Sequence, residues 1–297
     1  MTLQDCLNEF LFQKELAGLS KTSIDDYRNI LSIMVRSVGP DSAVEALEYN
    51  DVTVYVLELY KRPLSRSTVA TYIRNMRIFL RWVYSEYGLS FDPLKIKVPK
   101  SPKKMVHIYT DTEIQYLFAC VKTSIDWITA RNRAIIALML DSGIRQIEIC
   151  GLLKQNVDFE RMALTITGKG AKDRLVPLGY MSKVFLDDYF TCCPHKDSDY
   201  VFLDRVGDRI SGNAIRLFVN RLQKQLPFDL SSHKLRHNFA TNYCVDNIRK
   251  SGNTHVFDLS ILMGHESIET TKRYEHFAHE IIAVENSISH LDSIYKL

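Results

Sequence analysis

Between residues 93 and 105 the chain reads PLKIKVPKSPKKM, three prolines and five lysines in thirteen positions. Proline fixes φ and lacks an N–H, so such a stretch fits neither a helix interior nor a central strand. It reads as an extended, basic connector and divides the chain into two bodies. The expected division is residues 1–100, a linker at 101–107, and a second domain over 108–297. A length of 297 residues suits one large or two modest domains, and a hydrophobic share of 46% supplies a core.

The first hundred residues carry helical patterning throughout. Leu3, Cys6, Leu7, Phe10 and Leu11 recur at helical spacing. Ser20 or Thr22 can cap a second helix with Ile24, Tyr27, Ile30, Leu31, Met34 and Val35 inside, and Gly39-Pro40 stops it. A third helix is expected over Val52–Tyr60, and a fourth from about Ser67 to Tyr87. The fourth turns Val69, Tyr72, Ile73, Met76, Phe79, Leu80 and Val83 to one side. Arg74, Arg77 and Arg81 form a stripe on the other. A net charge of +3 does not declare a partner, but its distribution does more. Residues 1–50 hold four Lys/Arg against eight Asp/Glu, whereas 61–104 hold eleven against two. A basic block of this kind is the usual footprint for a phosphate backbone, although a solvated face would look the same.

From residue 108 the texture changes. Asp111-Thr112-Glu113 opens a helix, and Arg131–Ser142 forms a very apolar one. Ala163–Ile166 and Arg174–Pro177 read as short strands around the hairpin sequence GKGAKD, with Val201–Leu203 as a third strand. Helices follow to the end. One spans Ser211–Leu226 and carries Arg216, Arg221 and Lys224, which suit either a DNA groove or open solvent. The expected fold class is mainly α with a small antiparallel β-sheet. The six cysteines form no C-x-x-C, so neither a zinc nor a disulfide framework is expected. The longest clean apolar run, Ala134–Leu140, is far short of a membrane span, and residues 1–20 do not read as a signal peptide. The expected compartment is the cytoplasm.

Six residues single themselves out: Arg145, Lys169, His233, Arg236, His265 and Tyr274. They lie in the strings LDSGIRQIEICGLL, ITGKGAKDRLVPLG, SSHKLRHNFAT, ILMGHES and TTKRYEH. His233 and Arg236 are three apart and share a helix face, where His233 can act as base towards Tyr274 or share a phosphate oxygen with Arg236. Cutting a phosphodiester without a metal needs a nucleophile, cations for the non-bridging oxygens and an acid for the leaving oxygen. Tyr274 can attack. Arg145 and Arg236 offer planar forks matched to phosphate. Some of these residues also have a plainer reading: Tyr274 as core or surface filler, Lys169 as an exposed hairpin tip, His265 as a cap or a satisfied core residue. Arg145 also has one, as the ion-pair partner of Glu148. Lys172 and Arg174 lie close enough to Lys169 to blur its assignment, and His237 is expected to be structural, pointing away from His233 and Arg236.

In order, spacing and apolar flanks this set resembles the tyrosine recombinases, also called the phage-integrase family. The resemblance implies a helical, SAM-like core-binding domain followed by a catalytic domain, closing as a clamp around duplex DNA. It implies the compact, two-domain, Xer-like branch, without an additional arm-binding domain. It makes Tyr274 the nucleophile that forms a 3′-phosphotyrosyl link, Lys169 the acid for the 5′ oxygen, and Glu148 a group that orients Arg145. It further implies strand exchange through a Holliday junction by a homo-tetramer on two double-stranded DNA sites. An accessory DNA-bending or directionality protein is a possible partner. No cofactor, metal or membrane is implied. Two rivals remain at this point: a type IB topoisomerase-like enzyme, and a non-catalytic DNA-binding protein on the same scaffold. After Tyr274, the segment His279–Tyr295 carries Ile282, Val284, Ile288, Leu291, Ile294 and Tyr295, and the resemblance suggests a last helix that docks into a neighbouring protomer.

Overall fold

The computed structural model describes residues 1–100, 107–168, 172–287 and 289–295. The chain divides into two compact units, Met1–Lys104 and Met105–Leu297.

The first unit is four helices. α1 (Leu3–Leu16) starts at a reciprocal cap between Thr2 and Asp5, and α2 (Lys21–Val38) is capped by Ser20 rather than Thr22. Gly39, at φ 121°, ends α2 where a side chain would be strained. α3 (Tyr49–Lys61) and α4 (Arg66–Tyr87) complete the bundle. The core is aromatic at its centre: Phe10 packs edge-on against Tyr27 and Phe79. α4 buries Val69, Ile73, Met76, Phe79, Leu80 and Val83. Fully burying a side chain of this size is worth roughly 1.5–3 kcal/mol. The opposite face leaves Arg74 and Arg81 exposed and Arg77 half-buried. The connector does not run extended from residue 93, as its composition suggested. Pro93–Lys95 forms a 3₁₀ turn capped by Asp92, and Ile96 and Val98 pack into this unit's core. Pro93 stands at the one place in such a turn where its missing N–H costs nothing.

The second unit opens with α5 (Asp111–Cys120), started by a reciprocal cap between Thr110 and Glu113. The apolar α6 (Asp126–Asp141) and the short α7 (Gln146–Gly151) follow. Next comes a three-stranded antiparallel sheet, β1 (Val157–Asp158), β2 (Ala163–Thr167) and β3 (Asp173–Pro177), in the order β1-β2-β3. Ile166 stands opposite Arg174. The third strand is therefore Val157–Asp158, not Val201–Leu203. In the latter segment Val201 donates to the Leu152 carbonyl and Leu203 to the Tyr189 hydroxyl, so its polar groups are met without a ladder.

α8 (Tyr180–Cys192) and α9 (Gly212–Gln223) lead to the long α10 (Ser232–Ser251), which closes at the left-handed Gly252. α11 (Val256–Met263), α12 (Glu269–Glu285) and α13 (His290–Tyr295) end the chain. The expected last helix over His279–Tyr295 is in fact two pieces, the end of α12 and α13. Ile281 and Ile282 pack into a small core with Phe239, Ala240, Cys244, Val245, Leu259, Met263, Tyr274 and Ala278. That core holds α10, α11 and α12 together. Among the described residues no helix is long and apolar enough to cross a membrane.

Candidate active site

Three arginines from three distant parts of the sequence meet at the C-terminal end of α11. Arg174 Nε donates to the Leu262 carbonyl (2.8 Å), Arg236 Nη2 to that of Met263 (2.5 Å) and Arg145 Nη2 to that of Gly264 (2.9 Å). These carbonyls have no partner within the helix and form the negative end of its dipole, so guanidinium groups satisfy both needs. Gly264 caps α11 in the left-handed conformation, at φ 59°. Arg236 also donates to the carbonyl of Gly143, the residue that ends the apolar stretch before Arg145.

Glu148 anchors the group. It is buried, and it accepts from the Arg145 backbone N–H (2.7 Å) and the Arg145 guanidinium (2.9 Å). Arg174 adds a two-pronged contact, 2.8 Å to each carboxylate oxygen. Burial alone would raise the carboxyl's pKa, but the bonds from Arg174 and Arg145 outweigh it and hold it below its ordinary value. The ion pair expected between Glu148 and Arg145 is present. Arg174 is committed to Glu148 and cannot serve as the acid considered beside Lys169. Lys172 is exposed. Lys169 lies outside the described residues.

His265 follows the α11 cap directly. Its Nδ1 lies 2.7 Å from Thr271 Oγ1, which turns Nε2 towards Arg236 Nη2 at 3.4 Å. Burial, then Arg236 and Arg145, push its pKa down to about 4, so the ring is neutral at physiological pH. Burial and the neighbouring Arg145 likewise lower Arg236 to about 10, still charged.

Tyr274 sits on α12 and is 2% exposed. Its hydroxyl meets His237 Nδ1 at 2.5 Å and accepts from Arg273 Nη2 at 2.9 Å. The Arg273 guanidinium also lies over the phenol ring, 4.8 Å from its centre. Burial raises the phenol's pKa, and Arg273 opposes that rise.

His237 corrects the sequence reading. It does not point away from His233: the two are four apart on α10, share a face, and their rings stand 4.1 Å apart. His237, not His233, reaches the Tyr274 hydroxyl, while His233 is exposed. Its own pKa is lowered, chiefly by desolvation and then by Arg273 and Arg236. The four-residue spacing was the signal for His237. Arg273 had only its adjacency to Tyr274, and Thr271 had none. Arg216, Arg221 and Lys224 are all exposed on or just after α9.

A model of the phage integrase family matches residues 108–280, and one of the phage integrase N-terminal SAM-like domain matches residues 9–87. The tyrosine recombinase XerC of Oceanobacillus iheyensis is 28% identical over 270 residues, 86% of each chain. That of Staphylococcus saprophyticus is 27% identical over 243 residues, 80% of each. Among solved structures, the Tn1549 transposon integrase in complex with circular intermediate DNA superposes with a TM-score of 0.73 at 16% identity, covering 92% of this chain and 95% of that one. The lambda integrase dimer bound to a COC′ core site gives 0.73 at 17% identity, with the same coverages. With both halves matched and the catalytic half matched over most of its length, the chain belongs to the phage integrase family, the tyrosine site-specific recombinases.

Proposed function

We propose that the chain recombines double-stranded DNA at specific sites through Tyr274, with Arg145, Arg236 and His265 holding the scissile phosphate. What supports this reading most is the convergence of those three cationic or donor groups on one helix end, with the Tyr274 hydroxyl in contact with Arg273 and His237. Guanidinium forks give charge-assisted bonds to the non-bridging oxygens, in a site where partial burial makes them worth more than in water. The Tyr274 oxygen attacks phosphorus, the bond to the 5′ oxygen breaks, and Lys169 supplies the proton to that leaving oxygen. The 3′-phosphotyrosyl bond conserves the linkage, so a 5′ hydroxyl from a second duplex reverses the step and exchanges strands. Arg74, Arg77 and Arg81 on the first unit, and Arg216, Arg221 and Lys224 on the second, each bind the DNA backbone. Two cuts on each of two duplexes call for four protomers and a Holliday junction, and a DNA-bending or directionality protein would set the outcome. Such an enzyme works where its DNA sites lie, in the cytoplasm.

The test is covalent capture. A pool of nicked duplexes, including any inverted repeats beside the gene, is incubated with the protein, and species resistant to denaturing detergent are recovered. A nucleotide-linked peptide containing Tyr274 is expected, and Tyr274→Phe should bind the same DNA without capture. Tight binding with no captured species from the wild-type protein would instead indicate a DNA-binding protein without catalysis.

A further inference from the structure

The chain on either side of α11 is bonded to α12. His265, two residues after α11, meets Thr271 Oγ1, and Thr254, two residues before it, donates its hydroxyl to Glu275 Oε1 at 2.8 Å. Thr271 and Glu275 are four apart on α12 and share a face, and Glu275 directly follows Tyr274. The contact at Thr271 belongs to the site already described, and the one at Thr254 does not. Four residues, Gly252 to His255, join α10 to α11, and of these Thr254 alone is buried, at 3% exposed. Left-handed backbone stands on both sides of it, Gly252 at φ 75° and His255 at φ 49°. Glycine adopts that conformation freely, but a histidine keeps it only where its surroundings hold it. Here the His255 N–H donates to Asn253 Oδ1 (2.9 Å), and the ring lies 3.2 Å from Ser251 Oγ and 3.3 Å from Asp258 Oδ2. The connector is thereby tied to the helix before it and the helix after it, with the Thr254 hydroxyl held against α12.

We infer that Thr254 is a positioning residue for Tyr274, acting through Glu275, an inference that rests on the reaction proposed above. Tyr274, Ala278, Ile281 and Ile282 seat α12 in the small core around α10. Apolar burial is non-directional, so it holds the helix down without fixing its rotation or its slide. A hydrogen bond fixes both. The other polar tie between these elements, Arg249 to Glu285 at 2.6 Å, joins two exposed side chains, and pairs of that kind hold little. Because Glu275 is the residue after the nucleophile, any turn of α12 about its axis carries the Tyr274 oxygen along an arc. In-line attack needs that oxygen about 3–3.5 Å from phosphorus, and a misplacement of about 1 Å can cost about 100-fold. The Thr254–Glu275 bond holds α12 at one point of the arc.

The experiment is single-turnover cleavage of the captured nicked duplex over a range of DNA concentrations, which separates rate from affinity. Thr254→Val keeps the shape of the side chain and removes the donor. It should cleave about 10- to 100-fold more slowly at saturating DNA, with the half-saturating concentration changed by less than about twofold. Thr254→Ser restores the hydroxyl and should recover most of the rate. A threonine that served packing alone would give the opposite order, since serine lacks the methyl group that valine keeps. Glu275→Ala should slow cleavage as Thr254→Val does, and Glu275→Gln, which still offers an oxygen to the hydroxyl, should not. The double variant Thr254→Val with Glu275→Ala should be no slower than either single one, because both remove the same bond. Glu275 is half-buried, so its variants carry the test even where Thr254→Val does not fold. A Thr254→Val rate within about threefold of wild type overturns the inference, well short of what a misplaced nucleophile costs. So does a serine variant as slow as the valine one, and so do losses that multiply in the double variant. Wild-type protein that binds the duplex and captures none of it overturns the recombination reading itself, whereas equal capture by wild type and Thr254→Val overturns this inference alone.

Discussion

Arg174 grips Glu148 through both carboxylate oxygens, 2.8 Å each, with the two side chains 9% and 4% exposed. Because Arg174 also holds the Leu262 carbonyl, one guanidinium ties β3 to α7 and to the end of α11. It therefore fixes both Arg145, through Glu148, and His265, through the α11 cap.

Removing one partner of a buried pair leaves the other uncompensated, at about 3–5 kcal/mol. Arg174→Gln should lose stability on that scale in urea unfolding. It should also slow covalent capture while DNA affinity changes little. Arg174→Lys restores the charge but not the fork and should recover stability in part and capture hardly at all. Equal recovery of both would mean that Arg174 serves the fold only.

Much of this site could be read from the sequence because phosphate chemistry restricts the choice of residue. An arginine, a hairpin lysine, an HxxR pair, a Gly-His and a late Tyr, in that order, carry the resemblance to the family. The helices were legible for a simpler reason: their apolar positions repeat at helical spacing, as from Val69 to Val83 on α4. What escaped was decided by tertiary packing. Val201–Leu203 looks like a strand, yet its groups bond to Leu152 and Tyr189. Pro93–Met105 looks extended, yet Ile96 and Val98 are drawn into the first core. The role of Arg174 could not be seen at all, since 26 residues separate it from Glu148 and only the pairing of β3 with β2 brings them together.

Gly143 makes a second prediction. Its φ is 60°, and a Cβ there would lie 2.2 Å from Phe239 Cδ1. Left-handed backbone costs a non-glycine residue about 1–2 kcal/mol, and overpacking a core adds about 1–3 kcal/mol. Gly143→Ala should lower the unfolding free energy by that sum and, by shifting the carbonyl that Arg236 uses, reduce capture further. The paired change Gly143→Ala with Phe239→Leu should recover stability more than activity.

Stability should depend in acid on the buried His237 and the half-buried His265. Burial lowers His265 from 6.5 to about 4 and His237 from 6.5 to about 3. Between the folded and unfolded values the unfolded chain binds more protons, so stability rises with pH. It should be complete above about pH 6.5 and fall as the pH drops towards 4. Denaturation midpoints at several pH values should show this fall, and His237→Asn combined with His265→Asn should flatten it. An equal slope in the double variant would assign the acid sensitivity to carboxylates such as Glu148, whose lowered pKa places its loss of stability further into acid.

The arginine stripe on α4 predicts a salt effect. Arg74 and Arg81 are exposed and Arg77 half-buried, on a helix whose other face is core. Each phosphate contact contributes about −0.9 to the slope of log affinity against log salt, so replacing all three by Ala should flatten the slope by up to about 2.7. Unchanged melting would show that the bundle survives, and an unchanged slope would mean that the stripe faces solvent in the complex.

The last prediction concerns the chain after α12. Val284, Leu291 and Ile294 are 73%, 65% and 57% exposed, whereas Ile281 and Ile282 upstream pack into the core around Tyr274. The packed and unpacked parts therefore divide near Asn286, the C-cap of α12. Leu291 and Ile294, left open after α12, suit burial against a neighbouring protomer, and a head-to-tail contact of that kind closes into a ring. A chain truncated after Asn286 should keep its helical circular dichroism and its binding to a single half-site, because Leu291 and Ile294 are exposed. It should lose cooperative occupancy of the second half-site, strand exchange, and part of the rate of covalent capture, since α12 carries both Tyr274 and the start of that contact. If the truncated chain instead melts well below the full-length protein, the terminal segment is packing on its own domain and the neighbour is not needed.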